Sequence, residues 1–223
     1  MPITQEQGRL RAYYAHVVEH RVDDDEGVMR PPAARFRQLL DQLPPEARRT
    51  ALDLGYGFGG YTLALASAGF RVDAVDIIPA RHLRTRLAME AADILERVTI
   101  HETDLRDFAP RSQYGFVVAK DVLHFLDKPA VARLLGTTSA RTEGNTCHYI
   151  TIFADIARTD RDGQRVAFNG EAGFSKAEWV DMIEAIYGGW ALTWEWAERV
   201  QRQPSNGRPY FRATQATFVA VKP

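Results

Sequence analysis

The residues best placed to do chemistry lie in the run Asp53-Leu54-Gly55-Tyr56-Gly57-Phe58-Gly59-Gly60. Glycines at four of six successive positions let a backbone turn sharply and approach a ligand with no side chain in the way. The run follows the strand-like TALDLG and opens a helix-like stretch, the setting of a nucleotide-type loop. Gly55, Gly57 and Gly60 also satisfy dinucleotide spacing, and Asp76 lies about 20 residues further on, where a ribose-binding carboxylate is wanted. On spacing alone, a nicotinamide dinucleotide and S-adenosylmethionine both remain open. Asp53 bears on the choice, because a carboxylate two positions before Gly55 suits the cationic amino-acid end of S-adenosylmethionine and repels a pyrophosphate.

A second constellation, Lys120-Asp121-Val122-Leu123-His124, follows the strand-like run 116–119. Parallel sheets bind ligands outside the carboxyl ends of their strands, so this segment is a candidate acceptor wall. His124 could take a proton from a nucleophile near neutral pH, and Asp121 could orient it or a cationic substrate. The other reading of His124 is a packing residue, and Lys120 can simply snorkel outward. Cys147, the single cysteine, excludes an internal disulfide and a cysteine-cluster metal site, suits a reducing cytosol and reads as buried in a strand.

The elements that must position these groups alternate. Short apolar runs at 50–55, 70–77, 98–101, 116–119 and 147–153 are separated by helical stretches, among them a long one over 80–95 and another around 129–135. Five such strands with returning helices predict a parallel, doubly wound, Rossmann-like sheet with helices on both faces. After Phe153 a polar stretch leads to Ser175-Lys-Ala-Glu178, a capping box opening a helix that Gly188-Gly189 closes. WALTWEWAERV and YFRATQATFVAV, joined by turn residues around 204–208, predict a terminal antiparallel hairpin. Its Trp190, Trp194 and Trp196 alternate with polar residues and read as sheet packing or as a substrate pocket. Upstream, Leu10, Tyr13, Tyr14, Val17 and Val18 have helical spacing, a polar run at 22–26 breaks it, and Pro31-Pro32 opens a second helix with Phe36, Leu39, Leu40 and Leu43. One structural domain is expected, with helices over 1–48 packing over the cofactor site and the sheet domain over 49–223.

At this point the chain resembles the class I S-adenosylmethionine-dependent methyltransferase family, and within it most the small tellurite- and thiopurine-type methyltransferases. The resemblance rests on Asp-Leu-Gly-x-Gly-x-Gly, the acid at Asp76 after the second strand and an antiparallel seventh strand placed last, and it covers roughly residues 50 to 223. It implies a seven-stranded, mostly parallel sheet. It also implies that Gly55, Gly57 and Gly59 line the methionine part of the cofactor, that Asp76 accepts both ribose hydroxyls, and that Ile77 touches the adenine. Asp104, with Leu105 beside it, matches the acid that binds the adenine amino group. Tyr56 and Lys120 fall within the same cofactor site but depart from the family, which has a small residue at the first position and a small or polar one at the second. Either could narrow the pocket or reshape its acceptor side. Tyr13, Tyr14 and His16 on the leading helix are lid candidates by the same resemblance, though an aromatic stripe also serves as core.

The function expected is transfer of the sulfonium methyl group to an O, N, S or chalcogen nucleophile of a small molecule, without a metal. The alternative is a protein that binds S-adenosylmethionine but catalyses a different reaction or serves as a partner subunit; an NAD-dependent oxidoreductase comes third. Lys and Arg number 28 against 29 Asp and Glu in 223 residues, a net charge of −1 that offers no field for nucleic acid or an acidic membrane. No run approaches the roughly 20 apolar residues of a membrane span and no signal segment opens the chain, so a cytoplasmic monomer or homodimer, with a possible hetero-partner, is expected.

Overall fold

The computed structural model describes residues 8–9, 11–13, 15–16, 32–44, 49–90, 92–142, 144–160, 162–166, 171, 173–203 and 206–223. The expectations for Leu10, Tyr14, Val17, Val18, the run 22–26 and Pro31 lie outside these residues. The element order is α1 (Ala34–Asp41), β1 (Thr50–Leu54), α2 (Gly60–Ser67), β2 (Arg71–Asp76), α3 (Ala80–Glu90), α4 (Ala92–Leu95), β3 (Val98–Glu102), β4 (Phe116–Lys120), a 3-10 turn (Leu123–Phe125), α5 (Lys128–Ala140), β5 (Thr146–Thr159), β6 (Arg165–Val166), α6 (Lys176–Ile186), β7 (Ala191–Arg202) and β8 (Pro209–Lys222). The sheet runs β3-β2-β1-β4-β5-β8-β7, with β6 as an extra partner of β5. β1 to β5 are mutually parallel, and β8 lies antiparallel between β5 and β7. This is the Rossmann-like topology expected, and chain order reverses between β1 and β4, where a crevice opens.

Strand alternation divides the side chains between two faces. Leu52, Leu54, Val117, Ala119, Ile150 and Phe218 pack with Val131 and Leu134 of α5 and Trp179 and Ile183 of α6. Ala51, Phe116, Val118, Tyr149 and Val219 pack on the other face with Phe36 of α1 and Leu65 of α2. The tryptophan pair of β7, Trp194 and Trp196, stacks at 5.3 Å and covers the first core, so it packs the sheet rather than lining the crevice.

Local chemistry sets several boundaries. Asp127 caps α5 by accepting from Ala130 N–H, and Ser175 and Glu178 form the reciprocal capping box of α6. The stretch over 80–95 forms two helices rather than one. No helix spans 103–115, so β3 reaches β4 through a loop. β5 continues to Thr159, past a bulge between Ala154 and Ala157 where Asp155 takes φ 52. Its polar last third, which reads as loop by composition, is held by backbone pairing to β8. β5, β7 and β8 thus project as an arm past the carboxyl ends of β1, β2 and β4. Among the described residues no helix is long and apolar enough to cross a membrane.

Candidate active site

A cleft runs across the carboxyl ends of β2, β1 and β4. Its floor is the glycine loop. Gly55, at φ 78, donates its N–H to Val75 O at 2.7 Å, and a Cβ there would stand 2.6 Å from Val122. Gly57, at φ 49, has open space where a Cβ would point, so the loop presents bare backbone to the cleft. Gly59 lies behind, at φ 85 as the N-cap of α2, and is not a wall of the cleft.

Asp76 closes the loop from the next strand. Its Oδ2 accepts from Gly57 N–H at 2.9 Å and its Oδ1 from Ile78 N–H at 3.1 Å. Burial raises its pKa, and these backbone donors oppose the rise. Four acceptor sites on a carboxylate leave both oxygens free to take a further donor. Ile77, Asp104 and Leu105 continue the wall. Asp104 is gripped by Arg106 through Nε at 3.0 Å, Nη2 at 3.1 Å and backbone N–H at 2.8 Å.

Lys120, Asp121, Val122 and Phe125 form the opposite wall. Asp121 sits at φ 50, a conformation that costs a non-glycine residue about 1–3 kcal/mol and persists where surroundings enforce it. Its carboxylate is fully engaged. Thr151 Oγ1 donates at 2.7 Å, Gln215 Nε2 reaches both oxygens at 2.8 and 3.0 Å, and Lys120 Nζ pairs with Oδ2. Burial, and after it the Arg199 guanidinium, pull Lys120 down to about 8.

Besides Gly59, five expected site residues stand elsewhere than their types suggested. Asp53 is 1% exposed and accepts from Thr62 Oγ1 at 2.5 Å, because alternation aims it at α2; burial lifts it to about 7. It ties β1 to α2 and does not meet the cleft. Tyr56 turns its ring under the loop into the cluster of Ile78, Leu83 and Leu87 and donates its hydroxyl to Ile78 O at 2.8 Å, so it does not narrow the pocket. His124 is 3% exposed, packed on Phe125 and Phe153; burial, with Arg158 and Lys120 nearby, lowers it to about 3. A ring that stays neutral to pH 3 is a poor proton acceptor near neutrality, and it is not part of the cleft wall. Tyr13 and His16 belong to helical residues that Arg11 ties to Glu102 at the end of β3; neither lines the cleft, and Tyr13 is exposed. Tyr14 lies outside the described residues.

Residues the motifs did not single out are Arg106, Val122 and Phe125 in the wall and Thr151, Gln215 and Arg199 behind it. Arg106 follows Asp104 at the spacing of a local clamp. Gln215 reaches Asp121 across 94 positions, and no local pattern signals that.

Residues 51–142 match the family described as a methyltransferase domain. The release factor glutamine methyltransferase of Shewanella oneidensis is 34% identical over 41% of this chain; the match spans 39% of that relative's length. The crystal structure of TehB from Haemophilus influenzae superposes with a TM-score of 0.60 at 18% identity, covering 92% of this chain and 67% of that one. The Burkholderia thailandensis 1,6-didemethyltoxoflavin-N1-methyltransferase, with bound 1,6-didemethyltoxoflavin and S-adenosylhomocysteine, gives 0.58 at 19% identity over 97% and 92% of the two chains. At such identities the likeness is one of fold.

Proposed function

We propose, from the match of residues 51–142 to a methyltransferase-domain family and from the cleft, that the chain binds S-adenosylmethionine in the cleft and transfers the methyl group to a small-molecule acceptor at the end of β4. The observation that carries this reading is the juxtaposition of bare backbone at Gly57 with the Asp76 carboxylate that accepts from it. That pair suits a ligand with a flat approach to the loop and two vicinal hydroxyls. Asp76 would take the ribose hydroxyls, Ile77 and Leu105 would flank the adenine, and Asp104, oriented by Arg106, would accept from its amino group. The toxoflavin relative, with a small molecule and S-adenosylhomocysteine bound, supports a small-molecule acceptor.

S-adenosylmethionine, when bound, supplies a methyl group already activated on a sulfonium. The chain's own residues are then needed for proximity, orientation and exclusion of water. That division of labour agrees with a wall in which Asp121 has its lone pairs occupied, and with a His124 that is neutral and buried away from the cleft.

Calorimetry tests the assignment. S-adenosylhomocysteine is expected to bind in the micromolar range and NAD not at all. Asp76→Ala is expected to weaken S-adenosylhomocysteine by about 2 kcal/mol, roughly 30-fold, the loss of charge-assisted bonds to two hydroxyls together with the support of Gly57. Tighter binding of NAD, or unchanged affinity in a folded Asp76→Ala, would overturn it.

A further inference from the structure

We propose that the acceptor end of the cleft is an oxyanion site, in which Lys120 and Arg199 hold a carboxylate or phosphate group of the methyl acceptor and so select acidic small molecules. The proposal rests on the methyltransferase reading above and adds to it the chemical class of the acceptor.

The placement comes from sheet register. Lys120 on β4 lies beside Thr151 on β5, Phe153 beside Gln215 on β8, and Ala213 beside Arg199 on β7. Alternation puts Lys120, Thr151, Gln215 and Arg199 on one face, in a row climbing from the end of β4 onto the projecting arm. Hydrogen bonds join the row. Arg199 Nε donates to Gln215 Oε1 at 2.8 Å, Gln215 donates to Asp121, and Lys120 pairs with Asp121. Arg199 is exposed, and in this chain of contacts it is fixed through Nε.

The charges do not balance. Arg106 is matched by Asp104, and Arg158 by Glu171, whose side chain is only 6% exposed. On the row itself Asp121 is one carboxylate facing two cations, Lys120 half-buried and Arg199 exposed. Burial is the main reason that the Lys120 pKa falls, and the Arg199 charge adds to it. An anion between Lys120 and Arg199 would relieve that repulsion and pair the surplus charge.

The row therefore offers two cations to an acceptor, and the carboxylate between them, Asp121, is already engaged by Thr151, Gln215 and Lys120.

The experiment titrates three probes into protein saturated with S-adenosylhomocysteine, and again into protein without it: benzoate, phenyl phosphate and the uncharged benzamide. Benzoate or phenyl phosphate is expected to bind at least 10-fold tighter than benzamide, and which of the two binds better separates a carboxylate site from a phosphate site. Arg199→Gln, an exposed substitution, is expected to cut anion affinity at least 10-fold with S-adenosylhomocysteine affinity within twofold, and Arg199→Lys to keep most of the anion binding. Equal binding of benzamide and the anions, no anion binding to 20 mM, or an Arg199→Gln effect confined to S-adenosylhomocysteine would overturn the oxyanion site. Failure of S-adenosylhomocysteine itself to bind would instead overturn the methyltransferase reading, while Arg199-dependent anion binding in its absence would still support the site.

Discussion

A single methyl group added at Gly55 should damage the loop in two ways that can be separated. Gly55 holds φ 78, and the left-handed region costs an alanine about 1–2 kcal/mol. Its Cβ would also stand 2.6, 2.7 and 2.9 Å from Cγ2, Cβ and Cγ1 of Val122, closer than side chains approach, so the loop or the β4 end must move. Overpacking of that kind costs about 1–3 kcal/mol. Gly55→Ala is thus expected to lose about 2–5 kcal/mol, a large share of a typical domain's 5–15 kcal/mol. Urea unfolding followed by far-UV circular dichroism measures it.

Val122→Gly removes all three offending atoms, so Gly55→Ala with Val122→Gly should show a favourable coupling of about 1–3 kcal/mol while the backbone cost remains. Gly57→Ala is the control. It sits at φ 49 with nothing within 4 Å of the added methyl, so it should cost only the backbone strain and show no coupling to Val122. It should weaken S-adenosylhomocysteine instead, because its methyl enters the cleft. Additive behaviour of Gly55→Ala and Val122→Gly, or a Gly55→Ala within about 0.5 kcal/mol of the parent, below the usual range of such changes, would refute the close-approach argument.

Two further outcomes follow from the buried ionisable groups. Replacing His124 by leucine should lower kcat for methyl transfer less than about threefold and leave the pH profile between 6 and 8 unchanged, because the ring is already neutral there; a loss near 100-fold would restore it as the base. Asp53, raised from 3.8 to about 7, holds its proton longer in the folded chain, so its contribution to stability is present below pH 4 and lost as pH rises to about 7. Asp53→Asn cannot ionise and should gain on the parent across that window by up to about 4 kcal/mol in urea unfolding, whereas a pH-independent difference would show that Asp53 titrates normally.

The fold was legible because its signals are local. Short apolar runs, glycine and proline punctuation and capping chemistry each act within a few residues, and helices return the chain for parallel pairing at every connection from β1 to β5 except the loop between β3 and β4. The loop, too, is local, and Gly55, Gly57, Asp76, Ile77, Asp104 and Leu105 do meet in one cleft. Where residue type misled, the cause was side-chain direction. Asp53 is one step along a strand from the face it would need, and alternation turns it to Thr62, nine positions on. Tyr56 has glycine on both sides, which frees the backbone to bury the ring beneath the loop rather than above it. The 3-10 turn at 123–125 sends His124 into an aromatic cluster. In each case the nearest apolar surface outweighed exposure of a polar group, consistent with burial stabilising a large side chain by about 1.5–3 kcal/mol.

The wall segment at 120–122 was legible, but what holds it was not, for a different reason: the support is built by strand pairing over long separations. Asp121 keeps its unfavourable φ because Thr151, 30 positions away, and Gln215, 94 positions away, hold its carboxylate, and β7 contributes Arg199 only because β8 inserts between it and β5. None of these residues belongs to a motif, and each could be replaced without disturbing the glycine loop. In the function proposed above, cofactor binding and acceptor choice therefore rest on separate parts of the chain. The first depends on a loop and two strand ends whose geometry tolerates little change, as the 2.6 Å gap at Gly55 indicates. The second depends on exposed side chains of a projecting arm, where a change such as Arg199 to a neutral residue alters charge without altering the backbone. Acceptor specificity should accordingly shift through substitutions on β7 and β8 that leave S-adenosylhomocysteine affinity intact.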